Sequence, residues 1–128
     1  MGDGWSADSD DVEMEVYFAS AAAGTPATKG DNFRAWGHGP LTGDVTLDAD
    51  EPMVTYTIPC VHQGEFAEAR VVFPSDWVPW LSASSEERLP TILSEEKAWA
   101  EEANARRAHA RMIANVLAVV SVVAALLL

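Results

Sequence analysis

From Met112 to Leu128 the chain reads MIANVLAVVSVVAALLL, 17 residues without a single charge, of which only Asn115 and Ser121 are not apolar. At 1.5 Å per residue a helix of this length covers about 26 Å, close to the roughly 30 Å of a bilayer's hydrocarbon core. Arg111 stands directly before it and can snorkel toward the headgroups. A core helix of a soluble domain keeps a polar face, and two isolated polar residues do not build one. The segment therefore predicts a transmembrane helix, with the lipid bilayer as its partner through residues Met112 to Leu128.

This tail divides the rest of the composition. All 28 charged residues lie between Asp3 and Arg111, 20 acidic and 8 basic, and the net charge of −12 belongs entirely to the part before the span. A chain this acidic excludes nucleic-acid binding by counterion release. Cys60 is the sole cysteine, which excludes a disulfide scaffold. The first thirteen residues, MGDGWSADSDDVE, carry neither a basic n-region nor an apolar h-region, so they predict no secretory signal in that stretch.

Between residues 11 and 73 the pattern is that of short strands. Residues 11–18, DVEMEVYF, put Val12, Met14, Val16 and Phe18 on one face and Glu13, Glu15 and Tyr17 on the other, the period-two alternation of a half-buried strand. Residues 19–31 read as a loop, and 32–36 as a second short strand running into GHGPLTG. Residues 44–47 and 53–59 predict a hairpin, with the turn-forming DADEP between its arms. Residues 65–73 alternate Ala67, Ala69, Val71 and Phe73 against Glu68 and Arg70, and Pro74 ends them. Five strands at about ten-residue spacing predict an antiparallel β-sandwich.

From Ser82 onward the sequence is rich in Ala, Glu and Arg. Ser84 and Glu87 fit a capping box, and a start near Pro90, with proline in the first helical position, fits equally. Glu102 and Arg106 form an i,i+4 pair in the favourable order. No Gly or Pro follows Pro90, so one long helix is expected to run on into the span. The predicted organisation is a β-sandwich-like extramembrane domain over 1–81, an amphipathic juxtamembrane helix over 82–111 and a transmembrane helix over 112–128. The fold class is thus mainly β with a long C-terminal helix.

Four stretches in order, GDGWSADSDDVEMEVYF, FRAWGHGPLTGDVTLD, VTYTIPCVHQGEFAEARVVFP and RLPTILSEEKAWAEEANARR before an apolar span, resemble a family of predicted bacterial membrane proteins called domain of unknown function 2207. The resemblance covers nearly the whole chain. It implies a β-rich, membrane-proximal ectodomain outside the cytoplasm, followed by membrane helices. Family members carry an N-terminal signal peptide and further strands before the segment matching Gly4 and Trp5, and more sequence after the first span, so the resemblance implies a chain truncated at both ends. Its sidedness opposes a second signal. Arg106, Arg107 and Arg111 precede the span, and the positive-inside rule would hold that flank in the cytoplasm.

No catalytic constellation is legible. His38, His62 and His109 stand far apart in sequence, and the spacing offers no tight zinc-ligand pair. On a continuing strand Cys60 and His62 would share a face, but a lone thiol at a strand end reads as buried or inert rather than nucleophilic. Asp8, Asp10 and Asp11, or Asp48, Asp50 and Glu51, offer oxygen ligands, yet neither run has the Gly and twelfth-position Glu of an EF-hand. They read as turn carboxylates. GHGPLTG lacks the Lys and Ser/Thr of a phosphate loop, so its glycines are expected to permit a tight backbone path beside Trp36. Trp77 and Trp80 are expected to cap the sandwich core. Ile92, Trp99 and Ala103 make too thin a stripe for a coiled coil.

These readings assign no catalytic, cofactor-binding or metal residues and no cofactor. Trp36 and His38 are the surface candidates for binding. The function expected is a non-enzymatic, membrane-anchored ectodomain that binds or builds the envelope. The alternatives are a cytoplasmic tail-anchored protein and a fragment of a larger membrane enzyme.

Overall fold

A computed structural model describes residues 4, 6–18, 24–82 and 86–126. The chain divides into two units, Met1–Ser85 and Glu86–Leu128. Among the described residues the first unit holds five strands in the expected order: β1 (Ser9–Tyr17), β2 (Arg34–His38), β3 (Asp44–Asp48), β4 (Met53–Val61) and β5 (Glu68–Val72). They form two antiparallel sheets, one of three strands ordered β1-β4-β3 and one of two strands, β2-β5.

The β3–β4 hairpin forms as the alternation requires, with Val45 opposite Tyr56 and Leu47 opposite Val54. Its turn is closed by Asp48, whose Oδ1 accepts from the amides of Asp50 at 2.9 Å and Glu51 at 3.0 Å. This is an Asx turn, the turn role expected of Asp48. The other neighbour of β4 is β1, some forty residues earlier, paired from Ser9↔Val61 to Tyr17↔Met53. Local pattern contains no trace of that pairing.

All five strands differ from their expected limits, by one to three residues at the ends that move. Strand β2 begins at Arg34 because Asn32 is used by the preceding loop: its Oδ1 accepts from the Thr28 amide at 2.7 Å and its Nδ2 donates to the Pro26 carbonyl at 3.0 Å. Strand β5 begins at Glu68 because residues 62–65 close a turn, the Glu65 amide donating to the His62 carbonyl at 3.0 Å. Strand β4 runs on past Pro59 to Val61. Along it Val54, Tyr56 and Ile58 point inward by strict alternation, but the next fully buried residue is Val61 and not Cys60. The shift falls where Asp11 of β1, between the Asp10–Cys60 and Val12–Ile58 pairs, adopts φ 49° beside the proline.

The two sheets share one core. Phe33, Val54, Tyr56 and Trp77 are buried, with Val16, Phe18, Ala35, Val45, Leu47, Ala69, Val71 and Phe73 packed around them. Met14 keeps its predicted face, opposite Tyr56, but is 41% exposed. The Tyr56 hydroxyl crosses between sheets to donate to the Arg70 carbonyl at 3.4 Å. Close approach of the sheets explains GHGPLTG: a Cβ on Gly37 would lie 3.0 Å from Val45 Cγ2, and one on Gly39, at φ 145°, would lie 2.5 Å from the Phe66 carbonyl oxygen. At Gly39 only glycine fits, and at Gly37 any larger residue would push the Val45 side chain aside.

The two tryptophans after β5 part company. Trp77 ends a single 3₁₀ turn (Ser75–Trp77) and is buried, whereas Trp80 is 68% exposed. The expectation that both cap the core therefore holds for Trp77 alone.

The second unit carries one helix, α1 (Leu89–Leu126), 38 residues without a break, about 57 Å long. It begins at Leu89 and not at Ser82, with Pro90 in its first turn, where a missing N–H costs nothing. Ser84, the cap of the predicted capping box, lies outside the described residues. The predicted boundary at 111–112 corresponds to no change in secondary structure. Glu102 and Arg106 form their i,i+4 ion pair, and Lys97 and Glu101 a second at 4.0 Å.

Candidate functional site

The register of β1 on β4 determines what meets at one end of the three-stranded sheet. Ser9 pairs with Val61 and Asp10 with Cys60, so the next position outward sets Asp8 beside His62. The turn after β4 presents that histidine. Its backbone amide donates to Glu65 Oε2 at 2.9 Å, and Gly64, at φ 79°, supplies the left-handed residue the turn needs.

Asp8 uses both carboxylate oxygens. Oδ1 accepts from the Gln63 amide at 2.8 Å, and Oδ2 lies 3.0 Å from His62 Nδ1. Cys60 Sγ lies 3.6 Å from the same Nδ1. One atom each from Asp8, Cys60 and His62 falls within 4.8 Å of the others, with Cys60 half-buried and the two partners exposed.

The charges are consistent with this contact. The hydrogen bond to His62, and then that from the Gln63 amide, hold the Asp8 carboxyl below the usual carboxylate range. The same bond and the carboxylate's charge raise the His62 imidazole above its ordinary value. Cys60 moves the other way. A hydrogen bond with Asp10, then partial burial and the negative charges of Asp10, Asp8 and Glu65, push its thiol up to about 11. A nucleophilic cysteine needs the opposite, a thiolate favoured by positive surroundings. The imidazole also turns one nitrogen to both neighbours, whereas a relay needs one nitrogen for the nucleophile and the other for the acid. The cluster is arranged as a set of metal-ligand types and not as a nucleophile with its base.

In the sequence Cys60 and His62 stand two residues apart with no third ligand in view, and Asp8 reads as a turn acid. The Cys60–His62 spacing is itself a close ligand pair and was the available signal. Asp8, 54 residues before His62, becomes its neighbour only through strand register. Trp36 and His38 lie elsewhere, on β2, half-buried and paired with Arg70 and Glu68. His109 is exposed on α1, and His38 is not among the residues that gather around His62.

The family whose description reads predicted membrane protein (DUF2207), N-terminal domain, matches residues 1–73. The match takes in all five strands and every residue of the Asp8–Cys60–His62 cluster. No curated protein and no solved structure matches the chain. With more than half its length matched, the chain belongs to the DUF2207 family of predicted membrane proteins, its β-domain being the family's N-terminal domain.

Proposed function

We propose that this protein is a membrane-anchored, non-enzymatic ectodomain of the cell envelope, its acidic β-domain standing outside the cytoplasm to bind or to build. One observation carries the anchoring. Helix α1 contains an apolar stretch long enough to cross a membrane, and none of it is buried. Met112, Ile113, Val116, Leu117, Val119, Val120, Val122 and Val123 are all between 45% and 62% exposed, a surface that water does not tolerate and lipid does. The Ser121 hydroxyl returns to the Leu117 carbonyl at 2.8 Å, which satisfies it within the helix as a bilayer requires.

The non-enzymatic reading is supported by the chemistry of Cys60, whose raised thiol suits neither nucleophile nor base. The outside placement is supported by the family resemblance. A cytoplasmic, tail-anchored arrangement is favoured by a different observation, the three arginines at 106, 107 and 111 ahead of the span. Protease added to intact cells carrying the full chain with an N-terminal tag separates them. Loss of the tag before lysis is the expected result, and protection until lysis overturns the outside placement. Hydrolytic activity of the full chain in nanodiscs, abolished by Cys60→Ala or His38→Ala, would overturn the non-enzymatic reading.

A further inference from the structure

We propose that Asp8, Cys60 and His62 form a three-ligand site for a borderline divalent cation of the zinc type, at the end of the β1–β4 ladder. The ligand set is one carboxylate, one thiol sulfur and one imidazole, a mixture that suits zinc and its neighbours and does not suit calcium or magnesium, which take oxygen.

Two of the three ligand-to-ligand distances lie close to the edges of a coordination tetrahedron. With Zn–S near 2.3 Å and Zn–N and Zn–O near 2.0–2.1 Å, tetrahedral geometry sets ligand-to-ligand edges of about 3.5 Å for sulfur–nitrogen and about 3.3 Å for nitrogen–oxygen. Cys60 Sγ to His62 Nδ1 is 3.6 Å, and Asp8 Oδ2 to His62 Nδ1 is 3.0 Å. The first edge needs no adjustment, and the second opens by a few tenths of an ångström as the metal replaces the hydrogen bond. The remaining edge lies within the 4.8 Å that encloses all three atoms.

The surroundings are built for a cation. The ligands are pinned by backbone: the Gln63 amide holds Asp8, and the His62 amide is held by Glu65. The Cys60 thiol donates to Asp10, so a carboxylate stands beside the sulfur and can occupy the fourth position in place of water once the thiol proton has left. Asp8, Asp10 and Glu65 together concentrate negative charge on the site. On binding, a metal–sulfur bond replaces the Cys60 S–H bond and a metal–nitrogen bond replaces the His62 Nδ1–H; the thiol proton leaves to solvent, and the imidazole binds in its neutral form with its proton on Nε2. The partial exposure of the cluster leaves a route in for the ion.

Cobalt(II) is the probe, titrated into the reduced full chain in detergent micelles. The expected result is one ion per chain with a near-ultraviolet thiolate-to-cobalt charge-transfer band, lost when zinc is added in equal amount and retained in excess calcium. Cys60→Ser abolishes the band, and His62→Ala and Asp8→Asn each weaken binding at least about tenfold, while Asp48→Asn, in the β3–β4 turn, changes nothing. Circular dichroism of each variant shows that the domain remains folded. The proposal is overturned if the folded chain shows no saturable band, if calcium displaces cobalt, or if His62→Ala binds as tightly as the natural sequence. None of these readouts depends on sidedness or on catalysis, so this proposal and the one on function fail separately.

Discussion

The indole Nε1–H of Trp77 donates to the carbonyl of Thr25, 52 residues earlier, at 2.8 Å. The bond joins the loop after β1 to the 3₁₀ turn after β5, at the centre of a cluster of four aromatic rings. Phe18, Phe33 and Phe73 surround the indole with centroids 5.3, 5.3 and 6.1 Å away, distances at which such pairs add about 0.5–1.5 kcal/mol beyond burial. Asp76 secures the same loop, its Oδ2 accepting from the Thr25 amide at 2.7 Å and hydroxyl at 2.9 Å.

Trp77→Ala is therefore expected to lower the unfolding free energy by about 3–5 kcal/mol. Gly24→Ala should act through the same contact, because its Cβ would lie 2.6 Å from Trp77 Cδ1, and is expected to cost about 1–3 kcal/mol. Trp80→Ala, at an exposed site, should stay within about 0.5 kcal/mol. Denaturant titration followed by near-ultraviolet circular dichroism ranks the three, and equal effects at Trp77 and Trp80 would contradict the packing described.

Acid should loosen the same corner. The hydrogen bonds from the Thr25 amide and hydroxyl hold the Asp76 carboxyl below its ordinary value, so its contribution is present above about pH 4 and is lost as pH falls through the lower native value. Asp76→Asn should remove that part of the acid sensitivity. Thermal melts of the natural sequence and the variant between about pH 2 and 6 are expected to converge at the acid end; a constant separation across the range would exclude this role for Asp76.

Asp11 sits in mid-strand with φ 49°, a conformation that glycine adopts freely and β-branched residues do not. Asp11→Gly should be neutral or stabilising by up to about 1 kcal/mol, while Asp11→Val should destabilise by at least about 1 kcal/mol, although valine is the better strand former elsewhere. Melting temperatures of the pair decide it, and a more stable valine variant would mean that the strand does not bend there.

A charge in the span should prevent anchoring. Val119→Arg places a guanidinium in the apolar stretch, at about 2.5–3.5 kcal/mol, enough to shift insertion on the order of a hundredfold. Carbonate extraction of membranes should release the arginine variant and retain Val119→Leu. Retention of both to the same degree would argue against the helix as the anchor.

The amino-acid order alone determined which stretches become strand and helix, and which side chains face inward on most strands. Val45 and Leu47, Val54 and Tyr56, and Ala69, Val71 and Phe73 alternate over two residues, and the strand's own geometry enforces their faces. The uncharged run after Arg111 likewise needs no context, since its chemistry admits only lipid or a buried core. Tertiary structure decided what depends on pairing. The partnership of β1 with β4, the bond that ties Trp77 to Thr25 and into the core while Trp80 stays at the surface, and the meeting of Asp8 with Cys60 and His62 all join positions some thirty-five to fifty-five residues apart. Local periodicity carries no information about which strand lies beside which, and a shift of one residue in register would turn Asp8 away from His62. The site exists because the long-range pairing selects one register, which is why an aspartate legible only as a turn residue becomes a ligand in the folded domain.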